Sequence, residues 1–377
     1  MNWSVYVINL FMNYRYSVSI LFLLLLSKIS AQDNSIAPKY SNEFLAIGVG
    51  ADALGMGNAF VANSWGASSG YWNPAGLLGV NKWLEVSFMH SEYFAGIAKY
   101  DQLSLAHAID EKSALGFTAI RFGVDDIPNT TQLIDNNGVI NYDNISSFSA
   151  GDYAFMGSYA RKIGGAFSLG GTAKIIYRNV GDFARSWGFG LDAGMKYQIG
   201  KHWTAAAMLR DVTSTFNAWT FTLDEQTSDV FLATGNSLPQ NGLELTLPKL
   251  ILGFGGKVPV GTAGFNIGGE IDFDITSDGR RNVLISASPF SIDPHAGMQI
   301  GFKELIKVRA GISNIQRVTS LDNEQSINVQ PSIGLGLALK GFHLDYAFTD
   351  IGDASVALYS HVISIRLKLD KPKNAVK

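Results

Sequence analysis

Long runs of strict alternation between large apolar and small or polar residues constrain this chain more than any other feature. In Trp187–Ile199 the odd positions Trp187, Phe189, Leu191, Ala193, Met195, Tyr197 and Ile199 are apolar, and the even ones are Gly, Asp, Lys and Gln. The pattern returns in Phe167–Tyr177, Phe265–Asp274, Phe342–Thr349 and Ile363–Leu369. A period of two places one set on each face of a strand. Alternation alone also suits a soluble sandwich, so run length has to separate the two. These runs last roughly 10–15 residues, against about 5–6 for ordinary globular strands and about 9–11 for a tilted membrane strand.

The connections point the same way. The pattern predicts strands over 83–91, 96–109, 113–124, 151–163, 165–179, 184–199, 201–213, 245–259, 261–275, 290–303, 305–318, 326–340, 341–350 and 354–369, an even fourteen. Every second connection is minimal: Asp110–Lys112, Gly164, Gly200, Val260, Glu304 and Lys340–Gly341. The others include two long polar stretches, Asp125–Ala150 and Val212–Glu244. Short turns on one rim and long loops on the other mark an outer-membrane barrel, whereas a soluble barrel has no reason to sort its loops. The expected fold is an all-β, 14-stranded antiparallel transmembrane barrel over 83–369, with a small N-terminal plug segment over 32–82 and a tail over 370–377.

Residues 1–31 read as a signal peptide, with Arg15, an apolar core Val18–Leu26 and small residues Ser30-Ala31 before Gln32; Met12 is an alternative start. Export to the bacterial outer membrane follows. The formal charge of −3 carries no basic excess, so nucleic acid is not an expected partner. There is no Cys, which excludes disulfides, thiolate metal sites and cysteine catalysis. The six His are scattered without metal-ligand spacing, and Gly48-Val-Gly50 with Gly55-Met-Gly57 lacks the Gly-Lys-Ser/Thr of a phosphate loop. No metal or other cofactor is expected, and the chain reads as a non-enzyme.

The inward face would carry Lys174, Asp192, Lys196, Glu270, Asp272, Asp274, Arg309, Asp345, Arg366 and Lys368. Such charges are prohibitive against lipid and tolerable in a polar lumen, where mixed signs predict salt bridges holding a filled interior. Trp187, Tyr197, Trp203 and Tyr177 suit interfacial girdles.

The segment before the strands has no period. It runs through Gly48–Phe60, with a short helix expected over Asp52–Val61, to Tyr71-Trp72-Asn73-Pro74-Ala75-Gly76-Leu77. Pro74 and Gly76 stop both helix and ladder there. This segment, followed by fourteen strands, resembles the FadL-type family of outer-membrane proteins. Within it, Ala53–Ala62, Tyr71–Leu77 and the final His361–Leu367 are similar to the PorV/PorQ branch of Bacteroidetes, except that Asn58 stands where that pattern has Gly. The resemblance implies a role in the type IX secretion system, as a partner of the large translocon that receives or shuttles cargo toward the attachment complex. Two alternatives stay open: a FadL-like transporter of small hydrophobic molecules, and a structural scaffold of a surface or gliding machine. Partners would be proteins, the lipid bilayer and lipid or lipopolysaccharide. The apolar residues of the long loops, Ile134, Tyr142, Trp219, Phe221 and Phe231 among them, are the candidates for partner binding.

Overall fold

The computed structural model describes residues 41–134, 139–319, 322, 325–349 and 360–371; the expected signal peptide and the end of the tail lie outside them. The strand segments are β1 (Leu84–Tyr93), β2 (Ala98–Ala108), β3 (Ser113–Asn129), β4 (Ser146–Gly164), β5 (Phe167–Val180), β6 (Ala184–Ile199), β7 (Trp203–Arg210) and β8 (Thr215–Phe221). They continue as β9 (Gly242–Thr246), β10 (Lys249–Val260), β11 (Phe265–Thr276), β12 (Ser291–Phe302), β13 (Ile306–Thr319), β14 (Gln325–Leu339), β15 (Phe342–Thr349) and β16 (Ser360–Leu369). Neighbours pair antiparallel, and β16 returns to β1 from Leu84↔Leu369 to Glu92↔His361.

Two staves of the wall are interrupted. β7 and β8 both pair with β6, through Ala193–Ile199 and Ala184–Phe189, while β10 and β9 pair with β7 and β8. Counting each interrupted stave once gives a closed fourteen-stranded barrel. At the interruption the four residues Asp211–Ser214 stand opposite the two residues Leu247–Pro248. Asp211 and Ser214 take left-handed φ of 55° and 59°, and Pro248 cannot donate to a ladder.

The two long loops are more ordered than their polarity suggests. β3 and β4 run past the expected ends to Asn129 and from Ser146, so that loop narrows to 130–145. A register shift between Val124 and Ile127 bends this extension. The stretch Val212–Glu244 contains β8, the start of β9 and the helix Glu225–Ala233, whose first turn is capped by Asp224 accepting from the Thr227 N–H at 2.6 Å.

The outward residues Phe88, Leu103, Phe117, Phe155, Ile175 and Phe189 keep 40–49% of their surface exposed, as a lipid-facing band must. Trp187 stands at the loop end of this band with Tyr177 half-buried against it at 4.7 Å, and Tyr197 and Trp203 stand at the turn end.

Residues 41–80 lie inside the barrel in short helical turns. The expected helix over Asp52–Val61 is only Ala51–Leu54, because the chain then flattens against inward glycines of the wall. A Cβ on Gly55 would lie 2.9 Å from the Gly334 Cα, and one on Gly311 2.1 Å from the Gly57 nitrogen. Asn58 sits at φ 63°, a left-handed position that Asn tolerates and Gly favours. Replacing Gly311 with Val is therefore expected to push residues 56–57 off the wall and destabilise the protein by about 1–3 kcal/mol. Thermal unfolding, with limited proteolysis of the inner segment in the folded barrel, measures this.

Candidate functional site

Lumenal charges hold the inner segment by its backbone. Asp272 accepts from the Phe60 and Val61 N–H groups at 2.9 and 3.0 Å, and Glu270 accepts from Ala62 and from Asn63 at 2.7 Å. These two carboxylates therefore do not make the salt bridges expected of them. The segment presents consecutive N–H groups that have left any helix, and a buried N–H must find an acceptor. Lys196 caps the same strip from the other side, donating to the Ala62 carbonyl at 3.1 Å and the Ser64 hydroxyl at 3.0 Å. Pairing does occur elsewhere in the lumen. Lys174 lies 2.7 Å from Asp192 and 2.5 Å from Asp211, at the edge of the wall interruption. Arg309 pairs with Asp345 at 2.7 Å, Lys249 with Asp274 at 2.9 Å, and Lys368 lies 4.0 Å from Glu85. Arg366 reaches Asp52 of the inner segment at 2.5 Å.

The Tyr71–Gly76 motif ties the segment together and to the wall. Tyr71 Oη donates to the Leu45 carbonyl at 2.6 Å, and Trp72 Nε1 to the Val49 carbonyl at 2.8 Å. Asn73 Nδ2 donates to the Met195 and Ala207 carbonyls at 3.1 and 3.4 Å, and its Oδ1 accepts from the Ala75 N–H. Pro74 and Ala75 lie on the paired glycines Gly170 and Gly194, where a side chain would collide with them. A Cβ on Gly76 would meet the Ser64 carbonyl at 2.2 Å. Arg210, which sequence reasoning passed over, donates to the Leu45 and Tyr71 carbonyls at 3.0 and 3.3 Å with its guanidinium 4.4 Å above the Tyr71 ring.

At the loop rim the extended strands line an open apolar pocket of about 770 Å³. Pro128–Thr131 and Phe148 form one side, Phe183 and Ala184 the second, and Trp219, Phe221, Phe231 and Leu243 the third. Trp219 and Phe221 stack with centroids 6.1 Å apart, and Phe148 meets Phe183 edge-on at 5.2 Å. The floor is polar. Trp219 Nε1 donates to Glu244 at 2.7 Å, and Arg178 lies between Asp152 at 2.8 Å and Glu244 at 3.6 Å. Ser41, at the start of the inner segment, also donates to Glu244.

Of the five candidate partner residues, Trp219, Phe221 and Phe231 thus come together in this pocket. Ile134 and Tyr142 stand apart on the 130–145 loop, 58% and 71% exposed. Among the described residues no group of three or more His, Asp or Glu side chains could hold a metal ion.

No family model and no curated protein sequence matches the chain. Solved structures do. The monoaromatic hydrocarbon channel CymD aligns with a TM-score of 0.53 at 14% identity, over 86% of this chain and 98% of its own. The toluene transporter TbuX of Ralstonia pickettii gives 0.50 at 12%, over 85% and 98%. The toluene transporter TodX of P. putida gives 0.50 at 11%, over 86% and 99%. The barrel is FadL-like in fold.

Within this FadL-like frame, the residues that sequence reasoning missed are Phe148, Phe183, Arg178, Arg210 and Glu244. The alternation of Thr215, Asn217 and Trp219 with Phe216 and Ala218 was a usable signal for β8, but five residues fall short of the strand length sought. Glu270→Ala is expected to orphan the Ala62 and Asn63 N–H groups, costing about 1–3 kcal/mol for each buried group left unpaired. Faster amide hydrogen exchange centred on Ala62 and Asn63 is the expected readout, with the wall strands unchanged.

Proposed function

We propose that this protein is a non-catalytic outer-membrane barrel that takes up small hydrophobic molecules at its loop rim. The observation that supports this reading is the apolar pocket between Phe148, Phe183, Trp219 and Phe221, whose volume of about 770 Å³ falls within the range of roughly 300–1,000 Å³ usual for small-ligand sites. The fold neighbours CymD, TbuX and TodX are described as a hydrocarbon channel and toluene transporters. A second cavity of about 590 Å³ lies between the inner segment and the wall, lined by Phe44, Leu54, Tyr93, Phe122 and His295.

A second reading keeps the chain as a type IX secretion partner that binds the translocon or its cargo. It rests on the residue resemblance at 53–62 and 71–77 and on exposed Ile134, Tyr142 and Leu232, which a solute filter has little use for on a wet surface. Deleting 133–143, which carries Ile134 and Tyr142 and spares the pocket lining, separates the two readings: it should abolish co-purification with a translocon if the second holds, and leave uptake intact if the first holds.

Under the uptake reading, the double substitution Trp219→Ala/Phe221→Ala removes two aromatic walls of the pocket. Binding of toluene or laurate to the purified barrel, followed by titration calorimetry, is expected to weaken at least tenfold, since loss of each buried aromatic contact costs on the order of 1 kcal/mol or more. Unchanged affinity, or no binding by the unsubstituted protein, sinks the proposal.

A further inference from the structure

The two ends of the barrel differ in charge. On the loop rim Asp126, Asp143, Asp182, Glu225 and Asp229 are exposed, whereas the short turns expose Lys112, Lys162, Lys201, Lys303 and Lys340. Most carboxylates of the turn rim are already engaged. Lys257 pairs with Glu304, Lys82 lies 2.6 Å from Asp370, and Asp110 accepts from the Lys112 backbone N–H at 2.7 Å. In an outer-membrane barrel the short turns face the periplasm, so this basic rim lies at the headgroups of the phospholipid leaflet.

One sector of the rim is more than a charged edge. Lys201, His202, Lys257 and Lys303, with the Lys257-paired Glu304, line a single cavity of about 690 Å³ at the turn-side mouth. Asn266 lines the same cavity, is only 5% exposed, donates its Nδ2 to Glu304 at 3.3 Å, and leaves its Oδ1 without a hydrogen-bond partner. A buried amide oxygen in that state calls for a donor. On the outer side of the same strands the lipid-facing wall is dented, with Gly269, Ala296 and Ala310 flooring an apolar groove of about 660 Å³. Trp203, immediately after the Lys201 turn, edges this groove and stacks on Phe254 at 5.5 Å. Lys257 borders both the cavity and the groove.

We propose that this sector seats one anionic phospholipid with a hydroxylated headgroup, its phosphate on Lys201 and Lys303, a headgroup hydroxyl on Asn266 Oδ1, and an acyl chain in the outer groove. Ammonium groups on flexible stems can follow a phosphate at the interface. The groove supplies a small-residue surface on which an acyl chain packs more closely than on the surrounding Ile and Phe. A phosphatidylglycerol-type lipid satisfies all three features, whereas phosphatidylcholine lacks both the net charge and the hydroxyl.

The test is native mass spectrometry of the full barrel released from bilayers of mixed phosphatidylglycerol and phosphatidylcholine. The unsubstituted protein is expected to retain one phosphatidylglycerol in preference to phosphatidylcholine. Lys201→Gln/Lys303→Gln should reduce that retention about tenfold, from the loss of two interfacial cations. Ala296→Phe, which fills the groove and leaves the lysines in place, should reduce it as well. Lys112→Gln/Lys162→Gln, elsewhere on the rim, should leave it unchanged. Heat-modified gel mobility confirms that each variant is a folded barrel. Equal retention of the two lipids overturns the proposal, as does indifference to either the lysine or the groove variant. A loss as large in the Lys112/Lys162 control means a diffuse collar and overturns the local seat, and displacement by inorganic phosphate alone at equal concentration means a site for free anions.

Discussion

Hydrocarbon offers no partner to a backbone N–H or carbonyl, and this one fact governs the architecture. A sheet placed in lipid must close, because every open edge carries unpaired groups that each cost several kcal/mol. The pairing of β1 with β16 meets that demand. Closure at fourteen strands then creates a second demand, since a cylinder of this size encloses more space than its own inward side chains fill. The inner segment occupies that space, and it can do so only by satisfying its own backbone there. Glu270, Asp272, Lys196, Asn73 and Arg210 do this by binding N–H and carbonyl groups of a chain that has no regular structure to bind them itself.

Glycine completes the fit. At several of the closest crossings of the inner segment and the wall, the wall residue is glycine: Gly170 and Gly194 beneath Pro74, Gly297 and Gly311 beneath Met56, Gly334 beneath Gly55. These pairs lie side by side in the ladder, Gly170 against Gly194 and Gly297 against Gly311, so each makes a flat patch two strands wide. Glycine inside a strand is ordinarily a cost and marks close approach of another backbone. The wall accepts that cost where lipid-facing neighbours such as Leu169, Met195 and Met298 still provide apolar surface on the other side.

Most of the wall was legible in the sequence because a membrane strand must alternate over its whole length, and the signal repeats fourteen times. Lys174, Asp192, Lys196, Glu270, Asp272 and Arg366 could be assigned to the lumen from parity alone. Their partners could not. Parity says which face a carboxylate is on, but whether it meets a cation or an N–H depends on a segment that has no period to read. Glycines at inward positions were visible as small residues, without any indication that a second chain segment lay against them. The loop-rim pocket was the least legible part. It is assembled from strand extensions too short to stand out, β8, β9 and the tops of β3 and β4, and its aromatic residues come from three separate connections.

The interruption at Asp211–Ser214 and Leu247–Pro248 has a consequence for how such a barrel can change over generations. Above it, the β8–β9 hairpin and its helix join the wall by one ladder only, to Ala184–Phe189 of β6. Below it, β7 and β10 pair with each other as well as with their outer neighbours. The upper piece is therefore a cassette. It can lengthen, shorten or be exchanged for another without altering the strand count or register in the membrane, so new surface specificities can be grafted onto an unchanged wall.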